Sequence, residues 1–423
     1  MRFETLSEWL RWQESLHPEE IELGLARVGE VFFRLCPGPL PFTVVTVAGT
    51  NGKGSSIAAL EAMLRAGGYR VGAYTSPHLL RYNERIRLDG EEVSDTALVE
   101  AFERVDQARG DTSLTYFEFG TLAALRIFVD AAPEIVLLEV GLGGRLDAVN
   151  IVDPDVALIT AIGIDHSAWL GEDRETIAGE KAGIMRPGGP VVCSDPRPPA
   201  SIVDRAEKLG APLYQLGREF DYQLNGGSWR WHCRAPTTSE LADLPRPLLG
   251  GEHQYRNIAG ALMVLALLQG DFPLERRQID AGLARLQLPG RLQLIPGEVP
   301  LLLDVAHNPD GVVQLAAALR AEPVAGRNRA IVGMMGDKDL RGALTPLLPL
   351  IDGWFAVDLP GVPRAASAAR LADVLNELGA VDVIPCTDVS QALQQARAAA
   401  RQGDRIVVFG SFYTVAEALA QPL

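Results

Sequence analysis

Cysteine is scarce in this sequence. The 423 residues include four cysteines, and none of them forms a CxxC pair with another. A disulfide framework and a zinc knuckle both need characteristically spaced cysteines, so neither is expected. We interpret Cys36, Cys193, Cys233 and Cys386 as ordinary core or surface thiols.

Positive charge is also in short supply. Lysine and arginine together number 39, against 54 aspartates and glutamates, and the formal net charge is -15. Nonspecific binding to nucleic acid comes mostly from basic side chains that neutralise phosphates, so this balance argues against a nucleic-acid partner. Any anionic ligand must therefore be met by a local group of basic residues.

Long hydrophobic runs are missing too. No window approaches the roughly 18 uninterrupted apolar residues of a membrane-spanning helix. The first residues, MRFETLSEWLRWQESL, carry charges throughout and contain no apolar core of signal-peptide length. With 47% apolar residues the chain can still bury large cores. We therefore expect a cytoplasmic protein with no membrane partner.

The strongest positive signal is the segment TVVTVAGTNGKGSS at residues 43–56. Its β-branched start predicts a buried strand, and its glycines predict a tight turn into a helix. Backbone N–H groups in such a turn can surround phosphate oxygens, and the helix dipole favours negative charge there. Lys53 would bring a point charge to the β/γ end of a nucleotide. The segment therefore predicts a phosphate-binding loop.

This loop departs from the standard pattern G-x-x-x-x-G-K-[ST] at two positions. Val47 stands where the first glycine belongs, and Gly54 follows the lysine where a Mg²⁺-binding hydroxyl is expected. A purely structural reading remains open, in which the glycines only make a tight turn. If the loop does bind a nucleotide, the missing hydroxyl must come from elsewhere in the chain.

Strands and helices alternate along the chain and predict an α/β fold with a mostly parallel sheet. The breaker Leu288-Pro289-Gly290-Arg291 separates two such alternations. We predict a first domain at residues 1–288, with the phosphate loop, and a smaller Rossmann-like domain at 289–423. Residues 190–235 look irregular, with a hairpin near Asn225. The predicted strands are 43–47, 70–74, 135–140 and 156–162, then 301–305, 330–333, 354–358 and 405–409.

Three polar residues follow apolar strands of the first domain, at the sheet edge where α/β proteins bind ligands. Glu139 could anchor Mg²⁺ or form a salt bridge with Arg145, because a buried carboxylate needs a cation. Ser76 could supply the missing hydroxyl, or it could simply form a turn before proline. His166 could bind a metal or be a structural histidine, since Mg²⁺ usually prefers oxygen ligands.

The second domain repeats this arrangement in LLLDVAHNP, residues 301–309. Asp304 could accept from a ribose hydroxyl, and His307 could approach a terminal phosphate. The alternative is a plain helix-capping turn at Asn308. Two other features look solvated from the sequence alone, namely Lys181 on a predicted helix and the charged loop Asp-Lys-Asp at residues 337–339.

Taken together, these segments resemble the folylpolyglutamate synthase family, within the ADP-forming amide ligases that include the Mur ligases. LTYFE together with LGL is similar to the bacterial bifunctional members that are also dihydrofolate synthases. The matching segments are LGLARV at 23–28, VAGTNGKGSS at 47–56, YTSPHLLRYNERIR at 74–87, SLTYFEFGTL at 113–122 and LLEVGLGGRLDAVNIV at 137–152, followed by IDH, EKAGI, LPGR, LDVAHNP and GSFYTVAE.

The resemblance implies a role for particular residues. ATP would bind the loop and three residues beyond it: Gly49, Thr50, Asn51, Gly52, Lys53, Gly54, Ser55, Asn257, Arg291 and Asp304. One Mg²⁺ would bind Ser76 and Glu139, and a second would bind His166 and an N-carboxylated Lys181. The pterin would meet Ile21, Glu22, Leu23, Thr115, Tyr116, Phe117, Glu118, Leu146, Asp147 and Ala148. The catalytic group would comprise Lys53, His166, Lys181 and His307.

The resemblance also implies a reaction. ATP would phosphorylate the carboxylate of dihydropteroate, or the γ-carboxylate of a reduced folyl glutamate, to give an acyl phosphate. The amine of L-glutamate would then displace phosphate and form an amide. We expect small-molecule substrates and a monomer.

Three other functions are alternatives to this one. A muramyl-peptide ligase makes the same bond, but it is expected to carry an N-terminal nucleotide-sugar domain, and about 40 residues precede the loop here. A nucleotide-dependent regulatory module without turnover is disfavoured, because the acid, histidine and lysine expected for catalysis are all present. A generic phosphate-loop NTPase is disfavoured by the two departures from the standard pattern.

Overall fold

The structure is a computed structural model that describes residues 2–421. The described chain divides into two compact units. The first comprises the chain up to Gly163 together with Ser167–Leu248 and Tyr255–Leu286. The second comprises Gln287 onward together with two short segments, Ile164–His166 and Leu249–Gln254. The predicted division after residue 288 placed both short segments in the first domain.

The first unit is built on a sheet with the strand order β4-β3-β2-β5-β1-β6-β7-β8. Neighbouring strands pair in parallel along the series β2-β5-β1-β6-β7-β8. At the other edge, β3 pairs antiparallel with β2, and β4 pairs antiparallel with β3. The predicted mostly parallel sheet is therefore confirmed. The strands are β1 Thr43–Ala48, β2 Val71–Tyr74, β3 Ile86–Leu88, β4 Glu91–Glu92, β5 Ile135–Glu139, β6 Val156–Ile159, β7 Val191–Cys193 and β8 Leu213–Gln215.

Strand β1 lies in the middle of this sheet, between β5 and β6, which explains its continuous apolar run. The register pairs Val47 with Glu139 on one side and Ala48 with Ile159 on the other. The carboxyl ends of these strands therefore meet at one edge of the sheet. The phosphate loop, Glu139 and the residues after β6 are all placed there.

Helices cover this sheet, and an aromatic core fixes the N-terminal ones. The rings of Trp9, Phe102 and Phe119 are buried within 6.2 Å of one another. The helices are α1 Leu6–Gln13, α2 Ala26–Leu35, α3 Lys53–Ala66, α4 Asp95–Arg109, α5 Tyr116–Ala131, α6 Ser167–Leu170, α7 Arg174–Lys181, α8 Ala200–Leu209, α9 His253–Leu267 and α10 Arg276–Leu283. Short 3-10 turns occur at Tyr82–Arg85, Ala148–Ile151 and Ala182–Ile184.

The stretch from residue 190 to 235 is more regular than the sequence suggested. Its first part continues the sheet as β7, α8 and β8, and the prediction of an irregular region is wrong there. Its second part is an antiparallel sheet formed by β9 Phe220–Asn225, β10 Ser228–Cys233 and β11 Ser239–Pro245. The predicted hairpin is confirmed, since Asn225 pairs with Ser228 across the turn.

The second unit is built on a sheet with the order β12-β13-β17-β14-β15-β16. It is parallel except for β12, so the predicted second α/β alternation is confirmed. The strands are β12 Gln293–Ile295, β13 Leu301–Asp304, β14 Asn328–Val332, β15 Gly353–Val357, β16 Val383–Cys386 and β17 Arg405–Phe409. The helices are α11 Pro309–Ala321, α12 Leu340–Leu344, α13 Ala368–Glu377, α14 Val389–Ala399 and α15 Phe412–Leu419, with a 3-10 turn at Thr345–Leu350.

Within residues 2–421, none of the helices combines the length and the apolar character that crossing a membrane requires.

Candidate active site

The phosphate loop is held by contacts that leave no room for a side chain at two glycines. A Cβ at Gly49 would lie 1.8 Å from Oγ1 of Thr160, and one at Gly52 would lie 2.4 Å from Oδ1 of Asn257. Gly52 also has φ +99°, in the region that favours glycine. Thr160 donates to the carbonyl of Asn51 at 2.9 Å. The structure therefore brings Asn257, which the family resemblance assigns to the nucleotide site, against the loop.

Two ammonium groups meet at one carbonyl oxygen of this loop. Lys53 Nζ donates to the carbonyl of Gly49 at 3.1 Å, and Lys181 Nζ donates to the same oxygen at 3.0 Å. Lys181 is 4% exposed, so the prediction of a solvated lysine is wrong. Like charges held this close repel each other, and an anion between them relieves the repulsion. Beside backbone N–H groups at a helix N-terminus, this arrangement suits phosphate.

Glu139 ends β5 at the same edge and is buried. Its Oε2 accepts a hydrogen bond from the backbone N–H of Ser76 at 3.1 Å, so these two predicted metal ligands lie together. Arg145 instead forms its ion pair with Glu180, at 3.0 Å. The alternative reading, in which Arg145 neutralises Glu139, is therefore wrong.

The side chains at this edge suit Mg²⁺ that arrives with a nucleotide. Among the described residues, no group of three or more histidine, cysteine, aspartate or glutamate side chains could hold a metal ion. Mg²⁺ usually keeps several waters and takes only one or two protein carboxylates together with substrate phosphates. A buried carboxylate such as Glu139, held against Ser76 beside a phosphate loop, meets that requirement. His166, predicted for a second metal, belongs to the second unit, and Lys181 belongs to the first.

Two of the segments predicted to bind the pterin contact the loop that follows Glu139. A Cβ at Gly141 would lie 2.6 Å from the ring of Phe117, so this glycine lets the ring lie on the loop after β5. Asp147 is buried and accepts from the N–H groups of Leu142 at 2.8 Å and Val149 at 3.0 Å. Burial raises the pKa of Asp147 to about 6, although these hydrogen bonds and the charge of Lys53 oppose the rise.

The predicted nucleotide residues of the second unit surround the end of β13. Both carboxylate oxygens of Asp304 accept backbone hydrogen bonds, from Leu292 at 2.9 Å and from Ala306 at 2.8 Å. Burial raises the pKa of Asp304, and the charge of Arg291 opposes that rise. The Arg291 guanidinium lies over the ring of Phe412, 5.0 Å from its centre. A flat cation on an aromatic ring is a surface on which a nucleobase can stack.

Residues in the turn after β13 contact Asp165, an acidic residue to which the sequence analysis assigned no role. Asn308 caps α11 by accepting from Gly311 N–H at 2.8 Å, which confirms the helix-capping reading. Its Nδ2 also donates to Asp165 at 3.1 Å. His307 donates from Nδ1 to the carbonyl of Val305 at 2.9 Å, because a carbonyl can only accept, and its Nε2 lies 3.3 Å from Asp165.

Lys338 also forms an ion pair with Asp165. The prediction that Lys338 is solvated is therefore wrong. Its side chain is 7% exposed, and Nζ lies 2.5 Å from Oδ1 of Asp165. Burial alone would raise the pKa of Asp165, but the His307 hydrogen bond and the charges of His166 and Lys338 place this pKa well below its usual range. Asp165 immediately precedes His166, whose backbone has φ +52°. The cluster therefore fixes the segment that carries His166.

Lys338→Met is expected to lower the free energy of unfolding by about 3 kcal/mol, because it leaves the buried Asp165 carboxylate without its ammonium partner. Urea unfolding followed by circular dichroism would measure the change. Lys208→Met is the matched control, because Lys208 is exposed on α8. Equal stability of the two variants would contradict this role for Lys338.

Two family models and several known proteins match this chain. The family model described as the Mur ligase middle domain matches residues 47–265, and the one described as the Mur ligase, glutamate ligase domain matches residues 290–412. The dihydrofolate synthase/folylpolyglutamate synthase of Escherichia coli strain K12 is 44% identical over 415 residues, covering 98% of this chain and 94% of that protein.

Solved structures agree as well. One, of E. coli FolC in complex with DHPP and ADP, has a TM-score of 0.91 and 43% identity, covering 98% of this chain and 97% of that one. Another, a bifunctional folylpolyglutamate synthase/dihydrofolate synthase with Mn, AMPPNP and L-glutamate bound, has a TM-score of 0.90 and 46% identity, covering 99% and 98%.

The fold and the site define an ADP-forming ligase of the Mur ligase type. Its match to the E. coli relative extends over 98% of the chain at 44% identity. The chain belongs to the dihydrofolate synthase/folylpolyglutamate synthase family, as the resemblance implied.

Proposed function

We propose that this protein uses ATP to add L-glutamate to dihydropteroate and to the γ-carboxylate of reduced folyl-(poly)glutamates. The observation that carries the proposal is the pair of ammonium groups on the Gly49 carbonyl, next to the strand that ends in Glu139. This arrangement supports transfer of a phosphoryl group at the edge where Phe117 and Asp147 also lie. The names of the relatives support the acceptor and the amino acid.

The reaction balances through an acyl phosphate. A carboxylate oxygen of the acceptor attacks the γ-phosphorus of ATP, and ADP leaves. The amine of glutamate then attacks the acyl carbon, the C–O bond to phosphate breaks, and one proton is released. Lys53 and the loop N–H groups would stabilise the charge on the phosphoryl group during transfer. Bound Mg²⁺ would neutralise phosphate charge, with Ser76 and Glu139 as its protein ligands.

The second predicted metal site requires a modified lysine. As an ammonium, Lys181 would repel a divalent cation, whereas a carbamate on Nζ would present oxygen ligands of the preferred type. The modification would also turn one of the two cations on the Gly49 carbonyl into an anion beside Lys53. His166 would be the partner ligand, on the segment that Asp165 holds.

The nucleotide and the terminal phosphate account for the remaining predicted residues. Asn257 would contact the nucleotide. Asp304 and Arg291 would also contact it, with the Arg291 guanidinium stacked on Phe412 as a platform. Nδ1 of His307 donates to a backbone carbonyl, so His307 would approach a phosphate through Nε2 and would exchange its contact with Asp165 for one with the phosphate.

The test is release of ADP and incorporation of glutamate by the purified protein with Mg²⁺. Dihydropteroate and a reduced folyl-monoglutamate would be supplied separately, each with and without L-glutamate. We expect ADP release that requires both the acceptor and glutamate, and a product heavier by one glutamyl residue. Failure to incorporate glutamate into either acceptor would contradict the proposal.

A further inference from the structure

A chain of polar side chains ties the segment before α2 to the start of α5. We call it the Arg27 network, and it consists of His17, Glu22, Arg27, Ser113 and Glu118. Its members come from two stretches of sequence about 90 residues apart, as the separation of Arg27 and Glu118 shows. The family resemblance implies pterin contacts in both stretches, at residues 21–23 and 115–118.

The centre of the network is a buried ion pair. Arg27 Nε lies 2.9 Å from one carboxylate oxygen of Glu118 and 3.0 Å from the other. The Glu118 side chain is 4% exposed and that of Arg27 is 20% exposed. Hydrogen bonds and charge from Glu118 raise the pKa of Arg27 although burial opposes the rise. A buried carboxylate depends strongly on such a partner.

Glu118 is also committed to the backbone of its own helix. Its Oε2 accepts from the N–H of Thr115 at 2.8 Å, while the Thr115 hydroxyl accepts from the N–H of Glu118 at 3.3 Å. This reciprocal cap fixes the first turn of α5. The Glu118 carboxylate therefore accepts hydrogen bonds from Thr115 and Arg27, which are protein groups and not a ligand.

The other end of the network holds Glu22. Arg27 donates from Nη2 to the Glu22 carbonyl at 2.8 Å and forms an ion pair with its carboxylate. His17 Nε2 lies 2.7 Å from Glu22 Oε2 and must donate, because a carboxylate can only accept. His17 Nδ1 lies 2.7 Å from the hydroxyl of Ser113, just before the capped turn. The hydrogen bonds from His17 and Arg27 lower the pKa of Glu22.

We propose that Arg27 and His17 are positioning residues for the acceptor. They hold residues 21–23 against residues 115–117, so that the two segments form one face of the subsite for the pterin end of the substrate. Glu118 acts with them and does not itself contact the pterin. This inference rests on the proposed function, and it deepens that function by naming what fixes the pterin subsite.

The proposal predicts a selective kinetic defect. Arg27→Met would release residues 21–23 from α5, and small misplacements at a binding site can cost up to about 10²-fold in rate. We expect KM for dihydropteroate to rise at least about tenfold, with KM for ATP and for glutamate within about twofold of the wild type. Arg27→Lys should recover only part of the loss, because an ammonium lacks the guanidinium fork. His17→Ala should raise the same KM by a smaller factor.

The matched control is Arg329→Met in the second unit. Arg329 pairs with the buried carboxylate of Asp404 at 2.6 Å and donates to the carbonyl of Ala399 at 2.8 Å, as Arg27 does with Glu118 and Glu22. This variant should lose comparable stability without a selective rise in the acceptor KM. Equal acceptor KM values for Arg27→Met and Arg329→Met would overturn the proposal.

Hydrogen exchange separates this proposal from the proposed function. In the unliganded protein, peptides covering 17–27 and 113–118 should exchange faster in Arg27→Met than in the wild type and in Arg329→Met. Unchanged exchange in both peptides would overturn the positioning role whatever the activity. If the wild type neither binds nor consumes dihydropteroate, the proposed function fails, and the assignment of these segments to the pterin fails with it. Faster hydrogen exchange in Arg27→Met would still establish that residues 17–27 and 113–118 are coupled through Arg27.

Discussion

Lys53→Met is expected to lower kcat by about 10³-fold, because it removes the charge that the loop would bring to the transferring phosphoryl group. The fold should survive. Lys53 forms no carboxylate pair among the described residues, and its hydrogen bonds are to the carbonyls of Gly49 and Thr50. Initial rates of ADP release at saturating acceptor and glutamate would measure the effect.

The control for this prediction is again Lys208→Met, which removes the same charge from an exposed position on α8. It should keep wild-type rates. A kcat for Lys53→Met within tenfold of the control would contradict the role of Lys53 in phosphoryl transfer.

Glu139→Gln is expected to lower kcat by at least about 10²-fold and to raise the Mg²⁺ concentration needed for half-maximal rate, because the variant loses a negatively charged metal ligand. Glutamine keeps the size of the side chain and an oxygen that can accept from the Ser76 N–H. The metal dependence of ADP release would measure both effects.

Glu134→Gln is the matched control at the opposite end of the same strand. Glu134 lies just before β5, is exposed, and accepts one backbone hydrogen bond, from Arg70 at 2.9 Å. Its variant should show the wild-type Mg²⁺ dependence. An unchanged metal dependence in Glu139→Gln would remove Glu139 from the metal site.

Local patterns in the sequence were enough to predict the elements that carry the site. The β-branched run before Gly49 predicts β1, and the polar residue at the end of IVLLE falls where β5 ends. Parallel strands then bring these ends to one edge without further information. Strands of three residues, such as β7 and β8, are too short to show periodicity, and this is why residues 190–215 looked irregular.

The partners of the charged residues could not be derived in this way. Burial of Lys181 and Lys338 depends on elements that are distant in sequence, and a helix or loop lysine gives no local sign of it. The composition carries one further signal. The chain has only four lysines among its 39 basic residues, and three of them, Lys53, Lys181 and Lys338, lie in the ammonium pair on the Gly49 carbonyl or in the cluster around Asp165. In a chain that otherwise uses arginine, each lysine is therefore a candidate for a specific contact.

The ion pairs of the Arg27 network also could not be derived from local sequence patterns. Glu118 reads as the fourth residue of a capping box, which the local sequence predicts, but its pairing with Arg27 depends on the packing of α2 beside α5. The side chains of Thr115 and Glu118 are buried, and the sequence gives no local sign of which chain atoms surround them.

The central claim is that ATP activates the acid by phosphorylating it, and an isotope measurement tests this directly. Dihydropteroate carrying ¹⁸O in both carboxylate oxygens would be converted to product with ATP, Mg²⁺ and L-glutamate, and the phosphate would be analysed by mass spectrometry. The account predicts one ¹⁸O atom in each inorganic phosphate released and the other in the new amide. Label found in AMP or in water, with none in inorganic phosphate, would contradict it.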